Sequence, residues 1–526
     1  MATAESLLSV KRWLPLVVCF AHLFILAHLA RQHPFGNYAT ETDFYHLYAP
    51  DAERIAAGQF PQNTFQGPGY PALIALIGKL TGLSGDLFTV GKWLSVICAM
   101  LCGWLIFVLF ARLFGFWVGL CAQLVAIASG QFPQFSINAA TDVFFLALCL
   151  AVLVVLTGSR LSLRWRVMLS AALTGAAYLT RYNGLFLVAA CIIGLVLLNL
   201  FETDWRERFK WAAVFVAVFF VTASPWLIAN YKYRGSPFYN TNYLNIATEF
   251  YPELVAGKTN QDGTRALEAT FKSFGDVLRF APLRLIKQYP INLYESLRDS
   301  IRTDLVNQWV GWLGWLGVLL ALLARPSKAV LLVLLAGGLY LLLMALNHWE
   351  TRYYFFIMVL YAGFAMNAVS HCFALVRAQG WLRQPAFTVI PVVIVGAMFA
   401  MSLAESRRDV LTFLASKPTE VIGARDYIQS TGAAPHSLRI VARKPHLAYL
   451  SRQEWLFFPR VKSIDEFRIW VESNRVDYIA IGKRELKERK ELKALSDPKK
   501  APDWLKAVWV NDDPDLILYQ PVNQNR

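Results

Sequence analysis

Six ionisable side chains, Glu41, Asp43, His46, Asp51, Glu53 and Arg54, fall within fourteen positions of the stretch ETDFYHLYAPDAERIAAGQF at residues 41 to 60. Pro50 suits the first position of a helix and Gly58 the residue just past its end, so the spacing predicts a short helix from near Ala49 to near Gly58. Asp51 and Glu53 then sit in its first turn, where carboxylates offset the helix dipole. Glu41 and Asp43 lie upstream beside Phe44, Tyr45 and Tyr48. A carboxylate among aromatic rings at an interface can serve as a general base, because partial desolvation lifts its pKa towards the working range. A solvated loop acid is the plain alternative for Asp43. A divalent ion held by Glu41 and Asp43 stays open; no other cofactor is called for.

Further groups of the same kind recur along the chain. Asp142 heads an apolar run in SGQFPQFSINAATDVFF, with helix-dipole compensation as its structural explanation. LTRYNG brings Arg181 and Tyr182, PWLIANYKYRGSP brings Asn230, Lys232 and Arg234, and NHWETRYYF brings His348, Glu350, Arg352 and Tyr353. Arginine keeps its charge at any relevant pH and matches a phosphate or carboxylate with two parallel donors. Tyr70 stands in GPGYP, a tight turn feeding an apolar helix.

The elements that must position these groups are set by composition. The chain has 526 residues, 56% of them hydrophobic and only 17% charged. A water-soluble domain carries about a quarter charged residues, so most of this chain is solvated by lipid. About eleven apolar runs are long enough to be read as membrane-spanning helices. They lie near 13 to 30, 87 to 110, 113 to 130, 140 to 157, 167 to 180, 184 to 200, 210 to 229, 309 to 324, 328 to 346, 353 to 375 and 387 to 404. The first reads as a retained helix rather than a cleaved signal peptide, for it lacks a small-residue cleavage site. Lys11 with Arg12, Arg112, Arg160 with Arg164 and Arg166, Arg206 with Arg208 and Lys210, Arg325 with Lys328, and Arg377 with Arg383 fall on one side of this layout. The positive-inside rule makes that side the cytoplasm, so the N-terminus is inside and an odd number of spans leaves the C-terminus outside. Asp43, Asp142, Arg181 and Arg352 all fall at outward ends.

Residues 1 to 405 therefore read as a polytopic, mainly α membrane module, with interfacial helices in its outward loops 31 to 86 and 230 to 308. In the latter, basic and apolar residues alternate at helical spacing, as on a helix lying at the headgroups; a solvated loop is the alternative. Residues 406 to 526 read as a small extracytoplasmic α/β domain, with strands at 438 to 442, 476 to 482 and 515 to 520 and a helix in SIDEFRIWVES opening on a Ser cap. The seven cysteines all lie in apolar runs and read as packing residues. No glycine loop of phosphate-cradling type occurs, which argues against an ATP-driven pump. The net charge of +15 belongs to membrane-proximal loops and the tail, so no nucleic-acid partner is expected.

The order of these motifs resembles the GT-C glycosyltransferases of the protein O-mannosyltransferase and aminoarabinose transferase type, in a bacterial form. The resemblance is carried by Asp43 with the helix ending at Gly58, GPGYP, Asp142, LTRYNG, PWLIANYKYRGSP and RYYF. It implies a polytopic catalytic module in the inner membrane and an inverting transfer of sugar from a polyprenyl-phosphate donor to a glycan, lipid or protein acceptor on the outer face. It also implies roles: Asp43 as catalytic base or acceptor-orienting group, Asp142 in binding acceptor or sugar, Arg181 and Arg352 on the donor phosphate. Tyr70, Tyr182, Asn230, Arg234, His348, Glu350 and Tyr353 are the remaining candidate binding residues. Two positions depart from the family pattern. Phe44 stands where many relatives carry an acid, and Gln66 with Gly67 where aminoarabinose transferases carry Glu-Lys. The competing reading is a transporter or flippase for a lipid-linked or anionic substrate, which would place charges near mid-membrane and interrupt paired helices.

Overall fold

The computed structural model describes residues 4–258, 260–378, 389–512 and 515–522. The chain forms two compact units, one comprising Met1–Pro34 and Asp51–Leu414 and the other Phe35–Pro50 and Ala415–Arg526.

The larger unit is helical. Each of the eleven apolar runs carries a helix: Ala4–Arg31, Leu87–Phe114, Phe116–Ile127, Asp142–Thr157, Leu163–Thr180, Leu185–Val196, Trp205–Arg234, Gln308–Leu323, Lys328–Met344, Phe355–Ala378 and Ile390–Ala415. Five stretches, Trp13–Arg31, Leu87–Phe114, Trp205–Arg234, Thr351–Leu375 and Ile390–Ser430, are long and apolar enough to cross a membrane by length and composition. The shorter ones, such as the 16 residues of Asp142–Thr157, reach about 24 Å at 1.5 Å per residue. Arg383 and residues 387 and 388 at the head of the last expected run lie outside the described residues. Phe20, Phe24, Val221, Ile228, Leu323 and Val392 are exposed on these helices, an arrangement that suits hydrocarbon rather than water. Small residues let helices close on one another: a Cβ at Gly317 would run into the Phe364 carbonyl, and one at Gly119 would lie 2.6 Å from the Ala111 nitrogen.

Between Arg234 and Gln308 the chain folds into helices Tyr243–Phe250, Asn260–Thr270, Phe274–Phe280 and Pro282–Asp299. They close over Leu244, Phe250, Tyr251, Leu267, Phe271 and Val277. The Pro282–Asp299 helix leaves Leu283, Ile286, Ile291 and Tyr294 exposed. Arg284 grips Glu253 with two hydrogen bonds of 2.6 and 2.9 Å.

The smaller unit is built on a five-stranded sheet in which the strands Glu454–Leu456, Arg439–Val441, Tyr478–Ile481, Asp515–Pro521 and Leu505–Asp512 lie side by side in that order. The strands are β1 (Arg439–Val441), β2 (Glu454–Leu456), β3 (Tyr478–Ile481), β4 (Leu505–Asp512) and β5 (Asp515–Pro521). β1 pairs in parallel with β2 and β3, while β5 runs antiparallel to β3 and β4. Alternate residues serve opposite layers: Val441, Ile479, Ile481 and Ile517 face one core, and Ile440, Tyr478, Ala480 and Leu518 the other. Both faces are thus covered, as a sheet with parallel strands requires. The Ile464–Ser473 helix starts as its sequence predicts, with the Ser463 hydroxyl accepting the Glu466 N–H at 3.2 Å.

Residues 35 to 50, expected within an outward loop of the membrane module, pack instead with the C-terminal residues. Asn37 Nδ2 donates to Ser416 Oγ at 2.6 Å, and the Asn37 carbonyl is paired with His446 Nε2 at 3.2 Å. The His446 ring lies 4.8 Å from Tyr38 and 4.6 Å from Tyr45, centroid to centroid. Burial drives its pKa down to about 3, whereas a free imidazole titrates near 6.5. Between those values the unfolded chain binds a proton that the folded unit refuses. The contribution to stability is therefore full above about pH 6.5 and is lost as pH falls towards the folded value. Each tenfold rise in proton concentration within the window removes about 1.4 kcal/mol. Melting curves of the wild type should drop more between pH 7 and 5 than those of His446→Asn; equal drops would place the acid sensitivity elsewhere.

Candidate functional site

Asp142 occupies the first position of its helix and is buried, 4% exposed. Arg181 follows the last residue of Leu163–Thr180, where the backbone has turned extended. Its Nη1 pairs with Asp142 Oδ1 and lies 3.4 Å from Thr141 Oγ1. The Arg352 side chain enters the same place from the turn Thr351–Tyr354. Both guanidinium groups approach the Tyr353 ring, Arg181 at 4.7 Å and Arg352 at 5.3 Å from its centroid, distances at which the ring quadrupole attracts a cation. Asp142, Phe145, Arg181, Tyr340, Arg352 and Tyr353 line one small cleft. The Tyr340 hydroxyl donates to the Tyr353 carbonyl, fixing the turn. Glu350 Oε2 lies 3.6 Å from Arg352 Nε, and Glu350 Oε1 lies 4.0 Å from His348 Nε2.

Two features hold this cleft. The first is GPGYP. A Cβ at Gly67 would collide with the Leu179 carbonyl and one at Gly69 would lie 2.9 Å from the same peptide, so only glycines allow the loop to seat against the turn that presents Arg181. Tyr70 is fully buried at the head of the helix that follows. The second is Asp304. Its backbone carbonyl accepts the Gln131 N–H at 2.8 Å, and its carboxylate accepts the Thr351 hydroxyl at 2.5 Å. One residue thus ties the loop before Asp142 to the turn carrying Arg352. Sequence pattern gives no sign of Asp304, whose partners Gln131 and Thr351 lie far away in the chain.

Tyr182, Asn230 and Arg234 form a separate group. The Tyr182 hydroxyl accepts the Trp226 indole N–H at 3.1 Å. Asn230 donates to the Tyr239 carbonyl at 3.2 Å, and Arg234 to the carbonyls of Pro61, Gln62 and Asn63 at 3.1 to 3.3 Å. Asp51 accepts the N–H groups of Gln62 and Asn63 at 2.7 and 2.9 Å. These contacts knit the loop at 60 to 63 to the end of the Trp205–Arg234 helix, which accounts for the residues structurally.

Asp43 belongs to the smaller unit and is half-buried. It directly precedes a π-helical turn, Phe44–Tyr48, closed by the Ala49 N–H on the Phe44 carbonyl. Such turns are rare and recur at functional sites. Glu41 has its own structural work: its carboxylate accepts the Asn37 N–H at 2.8 Å.

Residues 66–228, which contain GPGYP, Asp142 and Arg181, match the family model described as dolichyl-phosphate-mannose-protein mannosyltransferase. No curated protein matches by sequence. Among solved structures, ArnT from Cupriavidus metallidurans bound to undecaprenyl phosphate superposes over 99% of this chain and 99% of its own, with a TM-score of 0.57 at 14% identity. The fold is that of the GT-C glycosyltransferases. The archaeal oligosaccharyltransferase AglB from Archaeoglobus fulgidus, in complex with an inhibitory peptide and a dolichol-phosphate, shares this GT-C fold over 91% of this chain and 70% of its own, with a TM-score of 0.60 at 13% identity. The arabinofuranosyltransferase AftD from Mycobacteria matches over 98% of this chain and 42% of its own, with a TM-score of 0.51 at 14% identity. Among the described residues, five helical stretches of this chain are long and apolar enough to cross a membrane, by length and composition.

Removing one partner of a buried pair leaves the other charge without compensation, at about 3 to 5 kcal/mol. Asp142→Ala should therefore lower the melting temperature of the purified protein well below that of the double variant Asp142→Ala/Arg181→Met. Equal melting temperatures for the two would show that the pair is not a structural unit.

Proposed function

We propose that the chain is a glycosyltransferase that moves a sugar from a polyprenyl-phosphate donor to a glycan, lipid or protein acceptor at the outer face of a bacterial cytoplasmic membrane. The observation that carries this reading is the pair of guanidinium groups, Arg181 and Arg352, in one cleft. Two permanent cations with forked donors suit a phosphate, and Asp142 fixes one of them in place. ArnT and AglB were solved with a polyprenyl phosphate and a dolichol-phosphate bound, and a lipid-borne donor fits a chain with so much apolar surface.

Sidedness has support from the other helix ends. Arg112 donates to the carbonyl of Val154 at 2.6 Å and Arg166 to that of Leu156. Both acceptors lie at the C-terminal end of the helix that Asp142 begins. The basic connectors thus gather opposite to Asp142, and the positive-inside rule makes their side cytoplasmic.

In the proposed reaction Asp43 takes the proton of an acceptor hydroxyl or amine while its oxygen or nitrogen bonds to the anomeric carbon. The bond from that carbon to the phosphate oxygen breaks, and its electron pair leaves with the polyprenyl phosphate. Displacement from the opposite face inverts the anomeric centre. Arg181 and Arg352 stabilise the charge growing on the leaving phosphate, an effect strengthened by exclusion of water. Asp304 holds the Arg352 turn, so its contribution is to positioning.

The test is mass analysis of membrane glycolipids and glycans from cells with the wild-type chain, without it, and with single variants. Loss of a glycosylated product in the deletion, restored by wild type, is the expected result. Asp43→Asn should slow product formation about 100-fold or more. Transfer by Asp43→Asn at the wild-type rate would remove Asp43 from the role of base. Arg352→Ala and Arg181→Ala should each lower the rate about 100-fold or more, as loss of an oxyanion-stabilising donor does.

A further inference from the structure

The smaller unit carries a run of charge that neither its core nor the phosphate cleft uses. KRELKERKELKALSDPKK at 483 to 500 holds eight basic residues against four acids, interleaved along the chain. The fold sorts the two signs. In the Lys483–Glu488 helix Leu486 packs on the core, and in the 3₁₀ turns of Lys490–Ser496 Leu492 and Leu495 are buried. Lys483 with Lys487 on the first segment, and Lys490 with Lys493 on the second, are the exposed pairs that each helical period then sends outward. Glu485 is drawn inward instead: its carboxylate, 13% exposed, accepts Arg443 Nε and the Gly482 N–H, both at 2.8 Å. Asp497 accepts the Lys499 N–H at 3.0 Å and lies 3.6 Å from Lys500 Nζ. Arg489 donates to the carbonyl of Pro459 at 2.7 Å, whose neighbour Arg460 is exposed.

What remains outward is a ridge of Lys483, Lys487, Lys490, Lys493, Lys499 and Arg460, and among the described residues none of the six stands in an ion pair. Like charges gathered on one ridge repel each other, a cost that an external anion relieves. Lysine is a hydrated point charge without the forked donors that grip one phosphate, and the cations are spread along the ridge rather than gathered in a cleft. A flat surface of many anions meets them all at once. The chain itself brings such a surface within reach. It passes between the two units three times, after Pro34, Pro50 and Leu414, and only residues 416–418 separate the apolar Ile390–Ala415 helix from the Thr419–Ser430 helix of the smaller unit. Tethers that short hold the unit near the bilayer at a high effective concentration.

We propose that this ridge docks on the anionic phospholipid headgroups of the membrane that holds the larger unit, each lysine adding an attraction that salt screens. The docking itself needs no sugar transfer. Its consequence, which does rest on the glycosyltransferase reading, is that the unit carrying Asp43 is kept at the headgroups, where the phosphate of a lipid-borne donor lies.

The test is lysine footprinting of the full-length protein in two kinds of nanodisc, one of phosphatidylcholine alone and one with phosphatidylglycerol mixed in. Acylation of each amine by an N-hydroxysuccinimide ester is followed by peptide mass spectrometry. Lys483, Lys487, Lys490, Lys493 and Lys499 should react about three- to tenfold more slowly in the phosphatidylglycerol discs, while Lys506, exposed on β4, should keep one rate in both. Raising the salt from about 0.1 M to about 1 M, which shrinks the Debye length from about 10 Å to about 3 Å, should remove the difference. In the variant Lys483→Glu/Lys487→Glu/Lys490→Glu/Lys493→Glu, Lys499 should react alike in the two discs. Equal rates for the ridge lysines of the wild type in both discs, or an equal slowing of Lys506, would overturn the docking. So would glycerol phosphate in solution protecting the ridge as strongly in phosphatidylcholine discs, since the partner would then be a free anion.

Discussion

The ion pair between Asp142 and Arg181 is the constraint on which the larger unit's chemistry depends. Both side chains are nearly closed off from solvent, 2% and 11% exposed, and burying two charges costs several kcal/mol apiece unless geometry and hydrogen bonds compensate. A hydrophobic pair would hold two helices at least as well. The retained charges make sense as specification: Asp142 sets where the guanidinium lies, the Tyr353 ring supplies a second surface for it, and Arg352 shares that ring. What results is a positively charged cleft of fixed shape at the joined ends of three helices.

Around it the supports are backbone devices. Glycines at 67 and 69 permit a contact with the Leu179 peptide that any side chain would block. Asp304 joins two loops through one carbonyl and one carboxylate. Pre-organisation of this sort places donors before charge develops on a leaving group, which is where electrostatic catalysis gains most. The smaller unit follows the same logic with different parts. The Asn37 and His446 contacts pin residues 35 to 50 to the α/β domain, so that Asp43 is presented by a folded support rather than by a free loop.

Much of the helical layout was legible because its signals are local. Each apolar run carries its helix, the Ser463 cap starts its helix, and the three strands expected at 438 to 442, 476 to 482 and 515 to 520 are present as β1, β3 and β5. Short apolar helices blur the boundary between spanning and buried, and length alone does not tell them apart. The candidate site divides along the same line. Asp142, Arg181 and Arg352 are recognisable as charges at apolar helix ends; Arg234 shares that signature yet is taken up by loop carbonyls, as the polar Asn230 and Tyr182 are by a carbonyl and an indole. Asp304, Tyr340 and the union of residues 35 to 50 with the C-terminal domain rest on contacts between distant positions, 379 residues apart for Asn37 and Ser416. No periodicity or cap reports such a pairing.

The central claim is that the Arg181 and Arg352 cleft binds the phosphate of a polyprenyl carrier. Its most direct test is the affinity of undecaprenyl phosphate for the full-length protein in nanodiscs, measured for wild type and Arg352→Gln at constant lipid composition. Loss of a charge-assisted contact predicts binding about 10- to 100-fold weaker in the variant. Undiminished affinity in Arg352→Gln would contradict the account.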